Sequence, residues 1–177
     1  DRSRGLGDVY KRQEGNGTLE DVILHEMAHV LGFGTMWPRM DLIEGVGSVN
    51  PTFIGANAMR EYGKLRGLSL GTDSEAKPVP VANTGGQGTR DGHWREAVFG
   101  DELLTGFISG SQRPISAMSI ACFGDMGYQV NYAAAQDFQL PNMLMIAEMG
   151  LMGDRQRDDT CACHSIRQQV VTPAALA

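Results

Sequence analysis

Apolar residues recur at helical spacing in several segments of the chain. These segments predict α-helices over residues 18–32, 57–65 and 114–126, and a shorter helix or turn is expected over residues 96–104. The first segment is apolar on more than one side, a pattern that is typical of a helix buried within a domain. The pattern therefore predicts a mainly helical protein.

Long stretches without a helical pattern separate these segments. Residues 33–54 are glycine-rich, residues 66–92 hold glycine, serine and threonine, and both stretches contain prolines, so we predict loops there. One short extended segment is expected around Val79 and Val81. Residues 131–152 include a methionine-rich run, which helix packing explains better than metal binding because methionine is an adaptable core side chain. The predicted fold class is mainly α with long loops.

The composition excludes some classes of function. The chain has 177 residues, 42% of them hydrophobic, which is enough for the core of one domain. Its formal net charge is −6 and its basic residues are not concentrated, so no nucleic-acid partner is expected. No stretch approaches the ~20 consecutive apolar residues of a transmembrane segment.

Three cysteines are too few for a disulfide scaffold. Cys122 lies in a predicted apolar helix and is expected to be a buried thiol. Cys161, Cys163 and His164 could bind a second metal, but this pattern is weak because only one residue separates the cysteines and no fourth ligand is near.

The first predicted helix carries an H-E-x-x-H sequence. His25 and His29 are four residues apart, so on a helix both imidazoles project from one face and can bind one zinc ion. Glu26 follows the first histidine and can act as general base on the water at the metal. The alternative is an ordinary amphipathic helix whose histidines face solvent. The acidic first turn and Gly32 after the helix favour the zinc-binding interpretation.

A catalytic zinc site usually has a third protein ligand, and the sequence offers two candidates. Gly32 completes H-E-x-x-H-x-x-G, in which a third histidine commonly follows three residues after the glycine, but Thr35 stands there. His93, in a Gly-His-Trp segment, is the first candidate. Glu61 in the second predicted helix is the other, as a carboxylate ligand.

The chain resembles the leishmanolysin family of zinc endopeptidases from about Gly17 to about Tyr132. The resemblance is carried by H-E-M-A-H-V-L-G-F at residues 25–33, a delayed His-Trp at residues 93–94, D-E-L-L at residues 101–104, and the segments Asn57–Tyr62 and Asp125–Tyr128.

This resemblance implies roles for four residues. His25, His29 and His93 match the family's zinc ligands, and Glu26 matches its general base. The implied function is that of a zinc-dependent endopeptidase, which cleaves protein or peptide substrates with a Glu-assisted, zinc-bound water, outside the cell or in the cell envelope. The alternative is a non-catalytic, zinc-stabilised module that binds a partner at the cell surface, or an inactive fragment of such a protease.

One departure from the family concerns the turn beneath the metal. Leu104 stands where the family has the methionine of its D-E-L-M turn. A Met-to-Leu exchange roughly conserves volume and should cost less than ~1.5 kcal/mol. Met118 is not expected to replace that methionine, because it lies in a predicted helix. Asp101 and Glu102 are candidates either for contacts to the zinc ligands or for the turn, and the turn is favoured.

The resemblance also implies a fold and its boundaries. Metzincins pair an N-terminal twisted sheet with a mostly helical C-terminal half. We therefore predict that residues 14–152 are the zinc helix and C-terminal subdomain of a metzincin-type α+β metalloprotease, with the N-terminal sheet largely absent. Residues 1–13 resemble a translated sequencing adapter and are expected to be a non-native or disordered leader, and residues 153–177 a polar tail. Part of the apolar surface of the zinc helix should then be exposed, which favours aggregation.

Overall fold

The computed structural model describes residues 19–68, 76–86, 88–107 and 112–142. This part of the chain is mostly helical, with a small three-stranded sheet. Its α-helices are α1 (Leu19–Val30), α2 (Ala56–Leu65), α3 (Glu96–Phe99) and α4 (Ala117–Asp125), and it has 3-10 helices at Trp37–Met40 and Tyr132–Ala134.

The predicted helices are present, mostly with shorter bounds. Helix α4 begins at Ala117 rather than at residue 114, because Ser116 caps it and its side chain accepts a hydrogen bond from the backbone N–H of Ser119 at 3.2 Å. The helix or turn expected over residues 96–104 is a short helix, α3, followed by a turn.

The small sheet is the main difference from the sequence-based prediction. Strands β1 (Ile43–Glu44), β2 (Thr52–Phe53) and β3 (Val79–Pro80) pair antiparallel in that order. The extended segment expected near Val79 is confirmed, whereas residues 33–54, predicted as loop, contain two strands and a 3-10 helix. Two-residue strands are too short to produce an alternating pattern, and they form because of partners distant in sequence.

Five aromatic side chains form the centre of the core. Phe33, Trp37, Phe53, Trp94 and Phe99 are all fully buried. The ring of Phe33 lies 4.7 Å from that of Trp37 and 5.1 Å from that of Trp94, measured between centroids, and Trp94 lies 5.6 Å from Phe53. The cluster therefore joins the end of α1 to the sheet and to the segment that precedes α3.

Helix α4 packs on α2 and also caps it. The half-buried carboxylate of Asp125, the last residue of α4, accepts hydrogen bonds from the backbone N–H groups of Asn57 and Ala58, both at 2.9 Å. A carboxylate at this position satisfies N–H groups that have no partner within the helix, and it interacts favourably with the helix dipole. The role of Asp125 is therefore to stabilise the α2–α4 pair.

The cysteines are described only in part. Cys122 is buried on α4, as predicted, and burial raises the pKa of its thiol. The expectations for both ends of the chain, including those for Cys161, Cys163 and His164, lie outside the described residues.

Helix α1 buries one narrow face and exposes apolar side chains on another. Its buried residues are Val22, His25 and Ala28. Leu24 and Met27 are about half exposed and line an apolar groove of about 480 Å³, and the neighbouring Val30 is 86% exposed. The exposed apolar patch that was expected on this helix is therefore present. Within the described ranges, no helix is long and apolar enough to cross a membrane.

This patch leads us to expect that the protein self-associates. Val30→Lys should reduce the association, because it places a charge beside the patch. It should leave the unfolding temperature nearly unchanged, since the side chain is exposed and a cation near a helix C-terminus is favourable. Light scattering measures the association. Val49→Lys is the matched control, because Val49 is equally exposed but lies between β1 and β2. Equal effects of the two substitutions would contradict a role for the patch.

Candidate metal centre

Three histidine rings meet at one point of the structure. The Nε2 atom of His25 lies 3.1 Å from that of His93 and 3.1 Å from that of His29, and the Nε2 atoms of His29 and His93 are 2.9 Å apart. Tetrahedral bonds of about 2.0–2.1 Å to one zinc ion would separate such nitrogens by roughly 3.3 Å. The three histidines could therefore bind a metal ion.

A backbone carbonyl behind each ring sets its orientation. Each Nδ1 atom lies within hydrogen-bond distance of a main-chain oxygen. The distance is 2.8 Å from His25 to the oxygen of Leu103, 3.0 Å from His29 to the oxygen of Phe33, and 3.0 Å from His93 to the oxygen of Thr89. A carbonyl oxygen can only accept a hydrogen bond, so we assign the ring hydrogen to Nδ1 in all three. In its neutral form, each ring then directs the lone pair of Nε2 towards the other two.

The electrostatics of this arrangement fit a bound cation. His25 and His93 are buried and His29 is partly buried. Burial, and repulsion from the His29 ring whenever that ring is protonated, lower the pKa of His25 to about 4, so the His25 ring is neutral near pH 7. Three lone pairs that face one another at 2.9–3.1 Å repel unless a positive charge lies between them. Zinc, which binds neutral imidazole nitrogens, fits this donor set.

Glycines allow the segment that carries His93 to reach α1. Gly32, with φ of +107°, ends the helix in a left-handed turn. Gly34 has φ of +70° and packs directly on the backbone of Gly92: a Cβ atom on Gly34 would lie 2.1 Å from the Gly92 oxygen. His93 can therefore approach the end of α1 because position 34 has no side chain.

We expect Gly34→Ala to abolish metal binding. It should also lower the free energy of unfolding. An alanine held in a left-handed backbone conformation costs ~1–2 kcal/mol, and the loss should exceed this cost because the added methyl group collides with Gly92. Gly47→Ala is the matched control, since Gly47 has φ of +74° and nothing lies within 4 Å of the added Cβ. Zinc stoichiometry and denaturant titration measure the two effects. If both variants keep zinc and lose equal stability, the contact between Gly34 and Gly92 does not hold His93 in place.

Glu26 lies beside the histidines in the wall of a cleft. The cleft has a volume of about 230 Å³, and Glu26, His29, Thr35, Arg90 and Asp91 are among the residues that line it. Glu26 is half-buried, whereas Thr35 and Arg90 are exposed to solvent. Because Glu26 and His29 are three residues apart on α1, their side chains share one side of the helix. The cleft thus brings a carboxylate and the edge of the histidine cluster to a surface that solvent can reach.

Among the described residues, His93 and not Glu61 joins His25 and His29 in a cluster that could hold a metal ion. Glu61 lies on α2 and forms an ion pair with Lys64 at 2.7 Å. Helix α2 packs on the core through Ala58 and Tyr62, which directs Glu61 to Lys64 rather than to the histidines.

The turn after α3 agrees with the sequence-based expectations where the structure tests them. Leu104 is fully buried, as expected for a packing residue, and Met118 lies on α4. Glu102 forms the turn, because its carboxylate accepts a hydrogen bond from the backbone N–H of Leu104 at 2.7 Å.

Sequence reasoning missed the groups that orient the histidines. Every residue has a carbonyl, so a carbonyl acceptor leaves no sequence signal, and the hydrogen bond of His25 joins residues 78 positions apart. One signal was available for His29. The glycines at positions 32 and 34 reverse the chain just after α1, which returns the carbonyl of Phe33 to the helix end.

Comparison with known protein families identifies the family of the chain. Residues 11–146, which are well over half of the chain, match the family model Peptidase_M8, leishmanolysin. The chain therefore belongs to the leishmanolysin family, a family of zinc-dependent metallopeptidases. No curated protein and no solved structure matches the chain.

Proposed function

We propose that this protein is a zinc-dependent endopeptidase in which His25, His29 and His93 hold the metal and Glu26 is the general base. The observation that carries the proposal is the convergence of three Nε2 atoms within 2.9–3.1 Å of one another, next to a cleft that Glu26 lines. Three neutral ligands leave a fourth position for water or substrate, which is the arrangement of a catalytic rather than a structural zinc site.

The chemistry divides between the metal and the protein. Zinc, when bound, supplies a Lewis acid that polarises the scissile carbonyl and lowers the pKa of water to roughly 7. Glu26 accepts a proton from the attacking water and then delivers it to the leaving amine. The carbonyl groups of Leu103, Phe33 and Thr89 hold the three rings in one tautomer, so that no rearrangement is needed when the metal binds.

The substrate class follows from the family and the cleft. We propose protein or peptide substrates that bind along the cleft, and a location outside the cell or in the cell envelope, as is typical of leishmanolysins. We also propose that the described helices belong to a metzincin-type fold, with α1 as its zinc helix.

The test combines zinc content with peptide hydrolysis. We expect one zinc ion per chain, measured by elemental analysis after removal of free metal. We expect a fluorogenic peptide library to be cleaved, cleavage to stop with 1,10-phenanthroline, and added zinc to restore it. Absence of stoichiometric zinc would refute the proposal. Stoichiometric zinc without cleavage of any peptide would favour the non-catalytic, zinc-stabilised binding module.

A further inference from the structure

Glu102 is a buried carboxylate surrounded by hydrogen-bond donors. Its side chain lies in the turn after α3 and is only 1% exposed. One carboxylate oxygen accepts from the backbone N–H of Leu104 at 2.7 Å. The other accepts from the N–H and the hydroxyl of Ser116, at 3.0 and 2.8 Å, and from the hydroxyl of Ser119. Glu102 thus joins the turn to Ser116, which caps α4, and to Ser119 in the first turn of that helix.

These partners suit an ionised carboxylate. Two of them are backbone N–H groups, which cannot accept a hydrogen bond. The oxygen of Ser119 accepts the indole N–H of Trp94 at 2.8 Å, so its own hydroxyl hydrogen is directed to Glu102. Burial raises the pKa of Glu102, and the hydrogen bonds from the two serines and from Leu104 oppose that rise. A carboxylate with four such donors holds its surroundings in one arrangement.

One peptide unit connects Glu102 to His25. The N–H of Leu104 and the C=O of Leu103 belong to the same peptide bond, which is planar and rigid. Glu102 accepts from the N–H end of this unit, and Nδ1 of His25 donates to its C=O end at 2.8 Å. Hydrogen bonds at the two ends of an amide strengthen each other. Rotation of this peptide would therefore break the contacts to the carboxylate and to the histidine together.

We propose that Glu102 is a positioning residue of the metal centre. Through the peptide between Leu103 and Leu104, its carboxylate fixes the orientation and tautomer of His25, so that the Nε2 lone pair points at His29 and His93. In many zinc sites a carboxylate contacts the ligating histidine directly. Here the main-chain amide between Leu103 and Leu104 lies between the carboxylate of Glu102 and His25. The inference rests on the proposed zinc site, but its effect on His25 can be measured without metal.

The test compares Glu102→Gln with Asp125→Asn. Both substitutions replace a carboxylate with an amide of the same shape, and each carboxylate accepts hydrogen bonds from two backbone N–H groups. The N–H groups that donate to Asp125 belong to α2, whereas one of those that donate to Glu102 belongs to the turn beside His25. We expect Glu102→Gln to weaken the zinc affinity of the folded protein by about 10–100-fold and to change the visible absorption of bound Co²⁺. Asp125→Asn should lower only the unfolding temperature. Equal losses of zinc affinity in both variants, or none in Glu102→Gln, would overturn the proposal.

NMR of ¹⁵N-labelled histidine in the metal-free protein gives an independent readout. The wild type should hold His25 with its hydrogen on Nδ1, and Glu102→Gln should populate both tautomers. If the wild-type protein bound neither Zn²⁺ nor Co²⁺, the proposed function would be contradicted. The tautomers of His25 in the metal-free wild type and in Glu102→Gln would still decide the role of Glu102. An unchanged tautomer overturns that role.

If Glu102→Gln does not fold, Ser119→Ala removes one donor and keeps the carboxylate. A smaller loss of zinc affinity is then expected, and no loss overturns the proposal.

Discussion

Replacement of His93 by Ala is expected to remove both zinc and peptide hydrolysis. Two of the three converging nitrogens come from α1, and His93 supplies the third from a segment far along the chain. The α1 pair alone leaves the metal with two protein ligands, fewer than a catalytic zinc site has. The loss of affinity should therefore exceed the roughly 10–100-fold that follows removal of a group supporting a ligand. Zinc titration against a competing chelator measures it.

His164→Ala is the matched control for this experiment. The chain has four histidines, and His164 is the one that lies outside the described residues. His164 belongs to the tail segment with Cys161 and Cys163, for which the sequence suggested a weak second metal site. The control should keep one zinc ion per chain and its hydrolysis. If His93→Ala kept its zinc and His164→Ala lost it, the metal would be bound by the segment that contains His164. That result would contradict the proposed centre.

The sequence predicts those parts of the site that depend on local spacing. The pair His25 and His29 follows from four-residue spacing on a helix whose apolar periodicity is clear, and α1 occupies nearly the predicted range. His93 was identified through a family resemblance and not through spacing, because nothing local connects it to α1. Its position depends on the close approach of Gly34 and Gly92, and such a contact between two backbones cannot be read from either glycine alone.

Elements that depend on long-range contacts were less predictable. The strands of the small sheet are two residues long, so their pairing and not their composition defines them. Glu102 was expected in a turn, and it is there, but its connection to Ser116, Ser119 and His25 arises only when the turn packs on α4. A carboxylate in a polar-looking D-E pair gives no sign that it will be fully buried. The hydrogen-bond network around the metal centre therefore required the structure.

Replacement of Glu26 by Gln is expected to lower kcat/KM for peptide hydrolysis by about 10²–10⁴-fold while zinc remains bound. Glutamine keeps the shape of the side chain and can still donate and accept hydrogen bonds, but it cannot take a proton from the attacking water. The three proposed ligands are unchanged, so zinc stoichiometry and the unfolding temperature should stay close to those of the wild type. Initial rates with a fluorogenic peptide, measured beside the zinc content of the same sample, test both parts of this expectation.

Glu20→Gln provides the control for loss of one negative charge from the same helix. Glu20 lies in the first turn of α1 and is exposed, whereas Glu26 lines the cleft beside His29. If loss of charge alone reduced activity, for example by weakening the attraction of the zinc ion, both variants would lose it in similar measure and would also lose zinc. A general base predicts a different outcome, in which Glu26→Gln alone is impaired and only in turnover. Near-normal hydrolysis by a zinc-loaded Glu26→Gln protein would assign the proton transfer to another group.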